Sequence, residues 1–521
     1  MSIPVRKSVN MTVTRAQIPL CIVVAMVDVS MKRKVTVMTV QTITLTTING
    51  HKSNANNRDD NVEDELQVIP EKNKTTSLWG QFWVWFGANV APINWLLGAL
   101  GVQMGLGLWE TFGVIVFGNV IGMSVFGVMV LLGQRTGLTG MLLGRRVFGR
   151  VGNYLPSIIQ SIVVIGWCAV NTWVVLDLVT ALLMKIGLVS SIEGHFALKA
   201  AIGGVVMIIQ VIISLFGYKA ISTFEKWTVP PTVAILLMMT IAAWGFMGID
   251  WNFAGSLPAG GTDHFAAISS IMTAIGIGWG FTWLTYACDY SRFVSKSVPK
   301  KKLFGASAIG QFIPVCWLGL LGATLATKSG SIDPGQLIVD NFGALAIPVL
   351  LLVLHGPIAT NILNLYSCTQ SVLALDVKVN RRALNIVIGV FAWFGVLLFL
   401  SMSDIGNTLD GWLSSVAGWT AVWGGIMMVH FFVIERKRDD FSSVLNQKGH
   451  EGMTLVRWQA LIAFFAGLAM CWAMSYGSLF QGPIAVAMGN IDLSWLGGMV
   501  TSALVYYVLA KITCVDRELA E

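Results

Sequence analysis

From Trp79 onward the chain is a succession of long apolar blocks, and this feature decides most of what it can fold into. Twelve blocks are read, over 79–104, 110–133, 155–184, 198–217, 229–247, 265–287, 306–327, 343–366, 383–401, 409–434, 456–476 and 494–513. Each is about long enough to cross a hydrocarbon core of roughly 30 Å at about 1.5 Å per residue. Backbone groups in lipid must be satisfied within their own segment, so the blocks are helices and not open strands. Only 12% of the 521 residues are charged and 55% are hydrophobic. A soluble domain carries about 25% charged residues, and none covers this much apolar surface. The fold class expected is an all-α polytopic membrane protein in contact with a lipid bilayer. Soluble enzymes, secreted disulfide scaffolds and disordered hubs are excluded. The seven cysteines are scattered singly with no CxxC pair, as small core residues are.

The loops set the orientation. Those after blocks 2, 4, 6, 8 and 10 hold 19 Lys and Arg residues, and the opposite set holds three: Lys185, Lys199 and Lys328. Basic loops stay on the cytoplasmic side, which predicts cytoplasmic N- and C-termini in the plasma (inner) membrane. The net charge of +7 is therefore loop chemistry, and no nucleic-acid partner is expected. Residues 1–78 hold ten of the 34 basic residues, and the one apolar stretch, Ile18–Val29, is too short to span. They are read as a disordered cytoplasmic tail, and 514–521 as a cytoplasmic C-terminus.

Two blocks are interrupted. Block 1 carries Gly87, Asn89, Pro92 and Asn94 near its middle, and Pro92 both removes a backbone donor and clashes with the preceding turn. Block 6 carries Gly276, Gly278 and Gly280 at its centre. Each is the first of a set of five. Broken helices at corresponding positions of two halves mark an inverted-repeat secondary transporter with its site at the midplane. This predicts a 5+5 architecture: repeats over 79–247 and 265–434, then two additional helices over 456–513. The competing reading is that these residues only permit close helix packing.

Polar residues inside the spans supply candidates. Trp167 and Asn171 are i and i+4, one turn apart on one helix face. An indole beside a carboxamide suits a flat heterocycle, stacking on the ring and hydrogen-bonding its edge. Block 8 gathers His355, Pro357, Thr360, Asn361 and Asn364 within ten residues. Such groups are expensive in a membrane unless they face a cavity or tie helices together. Thr360 offers a hydroxyl oxygen to a hard cation. Asp177 is the clearest carboxylate inside a span, either a proton carrier or one half of a pair.

Several segments together resemble the nucleobase:cation symporter-1 family, in its purine/cytosine permease branch. They are Gly133-Gln134-Arg135-Thr136-Gly137-Leu138-Thr139 with Arg145–Phe148, the Gly166-Trp167 step, Ala287-Cys288-Asp289-Tyr290-Ser291-Arg292-Phe293, and Asn361-Ile362-Leu363-Asn364-Leu365-Tyr366-Ser367. The likeness covers about Thr76 to Val515. It implies a leucine-transporter-like fold of twelve helices in which Trp167 stacks on the base and Asn171 bonds it. An aromatic of block 6 closes the other side. Trp279 and Trp283 are both candidates, with Gly280 at one position where family members place it. Asn364, with its neighbour Asn361, corresponds to the asparagine of helix 8. For a sodium site the resemblance implies oxygens around Gly87 and Ala91, with Gly356, Ala359 and Thr360. Ala359 lacks the hydroxyl expected there, which leaves Na⁺ and H⁺ as alternative coupling ions.

The function expected is cation-coupled import of a nucleobase, cytosine or a purine, by alternating access, with no cofactor and no catalytic residues. The alternative is another small heterocycle such as a hydantoin, allantoin or a thiamine precursor. An intramembrane enzyme needs a nucleophile–base set or metal ligands, and His355 has no partner at ligand spacing. A channel needs a filter-like repeat, and none is seen.

Overall fold

The structure is a computed structural model. It describes residues 67–513, apart from 217, 259, 331–332, 403–404, 440, 446–453 and 478–479. Residues 1–66 of the expected cytoplasmic tail and the expected cytoplasmic C-terminus, 514–521, lie outside the described residues. Residues 67–77, expected to belong to the tail, carry structure. Ile69 N–H donates to Gly137 O at 3.1 Å, Thr76 N–H to Phe293 O at 3.0 Å, and the buried Lys74 ammonium to Gln134 O at 3.0 Å. A chain whose donors are used against two loops is no longer a solvated tail.

The described residues are helical, with two isolated β-bridges and no strand. The helices are α1 Leu78–Asn89, α2 Ile93–Gln103, α3 Leu108–Thr136, α4 Gly140–Phe148, α5 Tyr154–Lys185, α6 Phe196–Leu215 and α7 Tyr218–Phe246. Then follow α8 Thr262–Ile271, α9 Gly278–Thr282, α10 Ala287–Ser291, α11 Lys300–Ser329, α12 Pro334–Phe342, α13 Ala346–Val353 and α14 His355–Leu373. The last are α15 Arg381–Leu400, α16 Ile405–Val429, α17 Trp458–Ala473, α18 Pro483–Ala487 and α19 Ser494–Ile512. Ten helical stretches are long and apolar enough to cross a membrane, and α2 and α17 are shorter apolar helices.

Local chemistry sets several of the ends. Ser77 caps α1 by accepting from Gly80 N–H at 3.0 Å, and Asp333 caps α12 by accepting from Gln336 N–H at 2.8 Å. Glu110 reaches back from the first turn of α3 to accept from Gly107 N–H at 2.9 Å. The apolar pattern leaves several short helices unmarked, among them α4, α12 and α18. The short α4 and α12 lie between blocks, and α12 begins with a proline in its first turn, where a missing N–H is harmless.

Both interrupted blocks are discontinuous. In block 1 the helix stops at Asn89 and restarts at Ile93, with Val90, Ala91 and Pro92 between. Block 6 departs from the α-helix twice. Met272–Ile277 is a π-helix that runs into the glycines, where a Cβ built on Gly278 would lie 2.0 Å from Thr273 O; Gly278–Thr282 is α-helical, and the chain leaves the helix again at 283–286. Gly276 and Gly280 also serve contact: a Cβ built on Gly118 would lie 2.4 Å from Gly276 Cα, and one built on Gly280 would lie 2.2 Å from Gly122 C. The glycines let α3 and block 6 touch backbone to backbone.

In the packing, α11 lies against α1, α2 and α3, while α5 lies against α14 and α15. Between these groups run the break in block 1, the turn in block 6, and the faces of α5 and α14.

Candidate functional site

The break after α1 is tied locally. Asn89 Nδ2 donates to Trp85 O at 2.9 Å, and Asn94 Nδ2 donates to Asn89 O at 2.5 Å. Asn89 Oδ1 then accepts from the indole N–H of Trp279 at 2.9 Å, joining the end of α1 to α9. A side-chain amide thus links the two interrupted blocks across the interior.

Beside this link lies a cavity lined by Ala88, Ile93, Trp167, Asn171, Trp279, Thr282, Trp283, Tyr286, Thr360 and Asn364. Five of the seven residues expected at a substrate site are among them: Trp167, Asn171, Trp279, Trp283 and Asn364. The cavity also gathers polar atoms with no partner. Trp167 Nε1, Asn171 Oδ1, Trp283 Nε1 and Tyr286 OH are all buried and unbonded. An unpartnered buried polar group costs about 1–3 kcal/mol, so four around one space form a concentration that packing does not explain. The unused set is mostly donor: two indole N–H groups and a phenol facing one amide oxygen.

The aromatic walls do not stack. The Trp167 and Trp279 rings stand edge to face, 5.5 Å apart at 87°. Trp283 lies 5.1 Å from Tyr286 at 59°. The crevices total about 330 Å³, yet a water-sized sphere fits within only about 10 Å³ of them, room for roughly one water. As they stand, the Trp167 and Trp279 faces form no parallel slot for a flat ring.

Two expected residues lie elsewhere. Gly280 packs on α3, as above. Asn361 donates to Cys168 O at 2.9 Å, Thr172 Oγ1 at 3.0 Å and Gln210 Oε1 at 3.2 Å, pinning α14 to α5 and α6. Its Oδ1 accepts from Asn364 Nδ2 at 3.2 Å, which orients the Asn364 amide. Tyr286 and Thr282 line the cavity although neither stands out in the sequence. Their spacing around Trp283 is the one signal for them in the sequence.

A family model described as permease for cytosine/purines, uracil, thiamine and allantoin matches residues 68–498. The chain belongs to this family. This permease is 26% identical over 460 residues to a putative purine-cytosine permease, YxlA, of Bacillus subtilis, covering 86% of this chain and 95% of that one. It is also 26% identical over 453 residues to the purine-cytosine permease FCY2 of Saccharomyces cerevisiae, covering 83% of this chain and 79% of that one. Its fold is shared with Mhp1, a nucleobase-cation-symport-1 family transporter solved in a closed conformation with bromovinylhydantoin bound. The TM-score is 0.69 at 16% identity, covering 86% of this chain and 95% of that one. The chain is a membrane transporter of the purine/cytosine branch, not an enzyme.

In the permease the residues expected around a cation meet where α14 approaches the break in block 1. A Cβ built on Gly356 would lie 2.7 Å from Val90 O and 2.9 Å from Ala91 Cα, so only glycine allows this contact. Thr360 Oγ1 donates to Ala88 O at 3.1 Å and to Gly356 O at 3.1 Å. The carbonyl brought to Thr360 is that of Ala88, one residue beyond Gly87, whose own carbonyl accepts from Val90 N–H at 3.2 Å. Ala359 is buried and adds no oxygen. The donors are all oxygens, which suits a hard cation, with Thr360 as the side-chain member.

Two other polar candidates lie away from the cavity. Asp177 accepts from Gly335 N–H at 2.8 Å and so holds the first turn of α12 against α5. His355 Nδ1 meets Thr232 Oγ1 at 3.1 Å, away from the cavity.

The basic loops carry a separate lattice. Asp376 accepts from Arg145 at 2.8 Å, Arg150 at 2.7 Å and Tyr154 OH at 2.8 Å. Burial opposes ionisation of Asp376, but these partners outweigh it and hold the carboxyl below its usual range. Glu435 accepts from Arg146 at 2.8 Å and faces His430 Nε2 at 3.1 Å. Here too burial is outweighed, by His430 and Arg146, and the Glu435 pKa falls to about 2.

Proposed function

We propose that the permease imports a nucleobase, cytosine or a purine, by cation symport with alternating access. The observation that carries this reading is the convergence of Trp167 Nε1, Asn171 Oδ1, Trp283 Nε1 and Tyr286 OH, buried and unbonded, on one aromatic cavity. Trp167 supplies the stacking face, Trp279 or Trp283 closes the opposite side, and Asn171 and Asn364 read the ring edge. Asn361 supports Asn364 from behind, and Gly280 lets the carrier helix lie close to α3. The names of the purine-cytosine permease relatives support the same substrate class.

Coupling follows from shared preference for one state. The cation binds among the oxygens of Ala88, Val90, Gly356 and Thr360, around Gly87, Ala91 and Ala359, and so stabilises the contact of block 1 with α14. The base stabilises the same closed arrangement from the other side of Ala88. Two ligands that favour one state each raise the affinity of the other. Na⁺ and H⁺ both remain coupling ions to test. The architecture proposed is twelve spans, with α1 and α2 forming the first. The 5+5 repeats cover 79–247 and 265–434, two helices follow over 456–513, and both termini face the cytoplasm from the plasma (inner) membrane.

A second reading, transport of another small heterocycle, is favoured by the bromovinylhydantoin bound to the structural relative. One experiment tests both: uptake of labelled cytosine into vesicles, competed by unlabelled bases and by hydantoins, with and without a sodium gradient. Saturable uptake displaced by bases supports the first reading. Displacement by hydantoins alone supports the second. Uptake that neither saturates nor follows any ion gradient refutes symport.

A further inference from the structure

Outside the site, an apolar groove of about 490 Å³ lies between α6 and α15. Gly204 leaves space in its floor, while Gly389 lets α15 pack closely on Val211 of α6 beneath it. Its rims are Ile208 and Ile212 on α6 and Ile386 and Val390 on α15, exposed by 61, 49, 51 and 49%. Trp393 closes one end, its indole N–H donating to Ala200 O at 3.2 Å. The groove thus lies along two membrane-length helices that show most of their surface to the outside of the protein.

The other end has a different chemistry. There α6 finishes at Leu215, and α15 begins at Arg381 in the sequence Lys378-Val379-Asn380-Arg381-Arg382. The Arg381 guanidinium donates to Leu215 O at 2.9 Å, which fixes a cation at the groove mouth. Lys378 and Arg382 lie within three residues of it in sequence and are exposed, although Arg381 and Arg382 also make contacts within the protein. From Arg381 to Trp393 the helix rises about 18 Å at about 1.5 Å per residue, roughly half a bilayer core. An apolar slot of that length, ending in three positive charges at interface depth, matches an acyl chain followed by an anionic headgroup.

We propose that this groove is a binding site for one anionic glycerophospholipid, its chain seated over Gly204 and Gly389 and its phosphate on Lys378, Arg381 and Arg382. A second copy of the chain is the poorer occupant. A two-fold contact across this face places the same patch of both copies together, and so sets two clusters of like charge against each other. The proposal does not depend on which base or ion the permease carries.

The test is native mass spectrometry of the full chain purified in detergent and offered equal amounts of palmitoyl-oleoyl phosphatidylglycerol and phosphatidylcholine. The expected result is one phosphatidylglycerol retained per chain in preference to phosphatidylcholine. Lys378→Gln and Arg382→Gln each lower that preference about fivefold, the worth of one basic residue near an anionic surface. Lys302→Gln, exposed in the first turn of α11, leaves it unchanged. Gly204→Leu fills the slot without crowding the backbone, since a Cβ there meets only Trp393 Nε1, at 3.5 Å. It removes retention of both lipids while the protein stays monodisperse. Equal retention of the two lipids by the wild-type chain overturns the proposal. So does an effect of Lys302→Gln equal to that of Lys378→Gln, or a dimer that dissociates in Gly204→Leu.

Discussion

Two polar regions of the permease are built from similar groups and reach opposite states. At the basic loops, Asp376 has three partners within 2.8 Å, and Glu435 is enclosed by Arg146 and His430. Arg135 spends its guanidinium on the carbonyls of Phe431, Glu435 and Arg438. In the cavity, four equally buried atoms have no partner at all. The first region is architecture: the arginine bonds tie α4 or its flanks to the ends of α14 and α16. Arg145 Nε alone among its named groups is left without a partner. The second has hydrogen-bonding capacity left over, a cost that a ligand using it recovers. Between these two regions it is satisfaction, more than polarity, that differs.

That distinction predicts which mutations damage stability and which damage binding. The largest effect is expected at Glu435→Gln, which leaves the buried Arg146 without its counter-charge. Breaking one side of a buried pair costs about 3–5 kcal/mol, read as a fall in thermal midpoint with the base affinity of the surviving protein unchanged. The pH dependence follows from the sign of the shift. The folded value, about 2, lies below the ordinary 4.5. The contribution is therefore complete above pH 4.5 and is lost as pH falls towards 2. A wild-type midpoint flat from pH 5 to 8 that drops below 4.5, with the drop reduced in Glu435→Gln, fits. An equal drop in both refutes the assignment.

In the cavity the signs reverse. Trp167→Ala is expected to leave folded protein in the membrane and to weaken base binding by about 1–3 kcal/mol, the worth of one aromatic stack on a base. Normal affinity in that variant refutes stacking. The two asparagines of α14 sharpen the comparison further. Asn364→Ala changes the ranking among competing bases, because a carboxamide reads ring edges. Asn361→Ala lowers the thermal midpoint, because three hydrogen bonds to α5 and α6 are lost. A uniform loss across bases in Asn364→Ala counts against its role. If sodium is the coupling ion, Thr360→Ala raises the sodium concentration for half-maximal binding. No change favours protons.

The sequence announces some of this and conceals the rest, for physical reasons. The apolar blocks are legible because a membrane demands about twenty apolar residues per crossing, and the described spans lie close to the boundaries read from hydropathy. Pro92 marks its break because a missing donor disrupts a helix wherever it stands. The glycines of block 6 are only half legible because glycine serves both weak helix and close contact: Gly278 sits at the end of the π-helix, while Gly276 and Gly280 meet Gly118 and Gly122. Helices α4 and α12 stay hidden because they are short and lie outside the apolar pattern. Trp167, Asn171 and Asn364 are conspicuous as polar or aromatic groups at helical spacing. Asn361 looks the same in sequence, and only the positions of Cys168, Thr172 and Gln210 show that its amide is already used.

Tyr286 offers the finest separation of tie from site, and the smallest effect. Its hydroxyl is buried, lines the cavity and has no partner. If it were structural, Tyr286→Phe would remove a useful bond and lower stability. If it awaits a substrate, the same change deletes an unsatisfied group from the empty permease and a hydrogen bond from the loaded one. The expected outcome is therefore two opposite signs. The thermal midpoint without substrate stays level or rises by the equivalent of up to about 1 kcal/mol, while base affinity falls by about 0.5–1.5 kcal/mol, roughly two- to tenfold. Trading stability against binding in this way is usual where a site holds polar groups ready for a ligand. A fall in both quantities places Tyr286 with the lattice at the basic loops. No change in either removes it from the site and leaves Trp167, Asn171 and Trp283 to bind the ring without it.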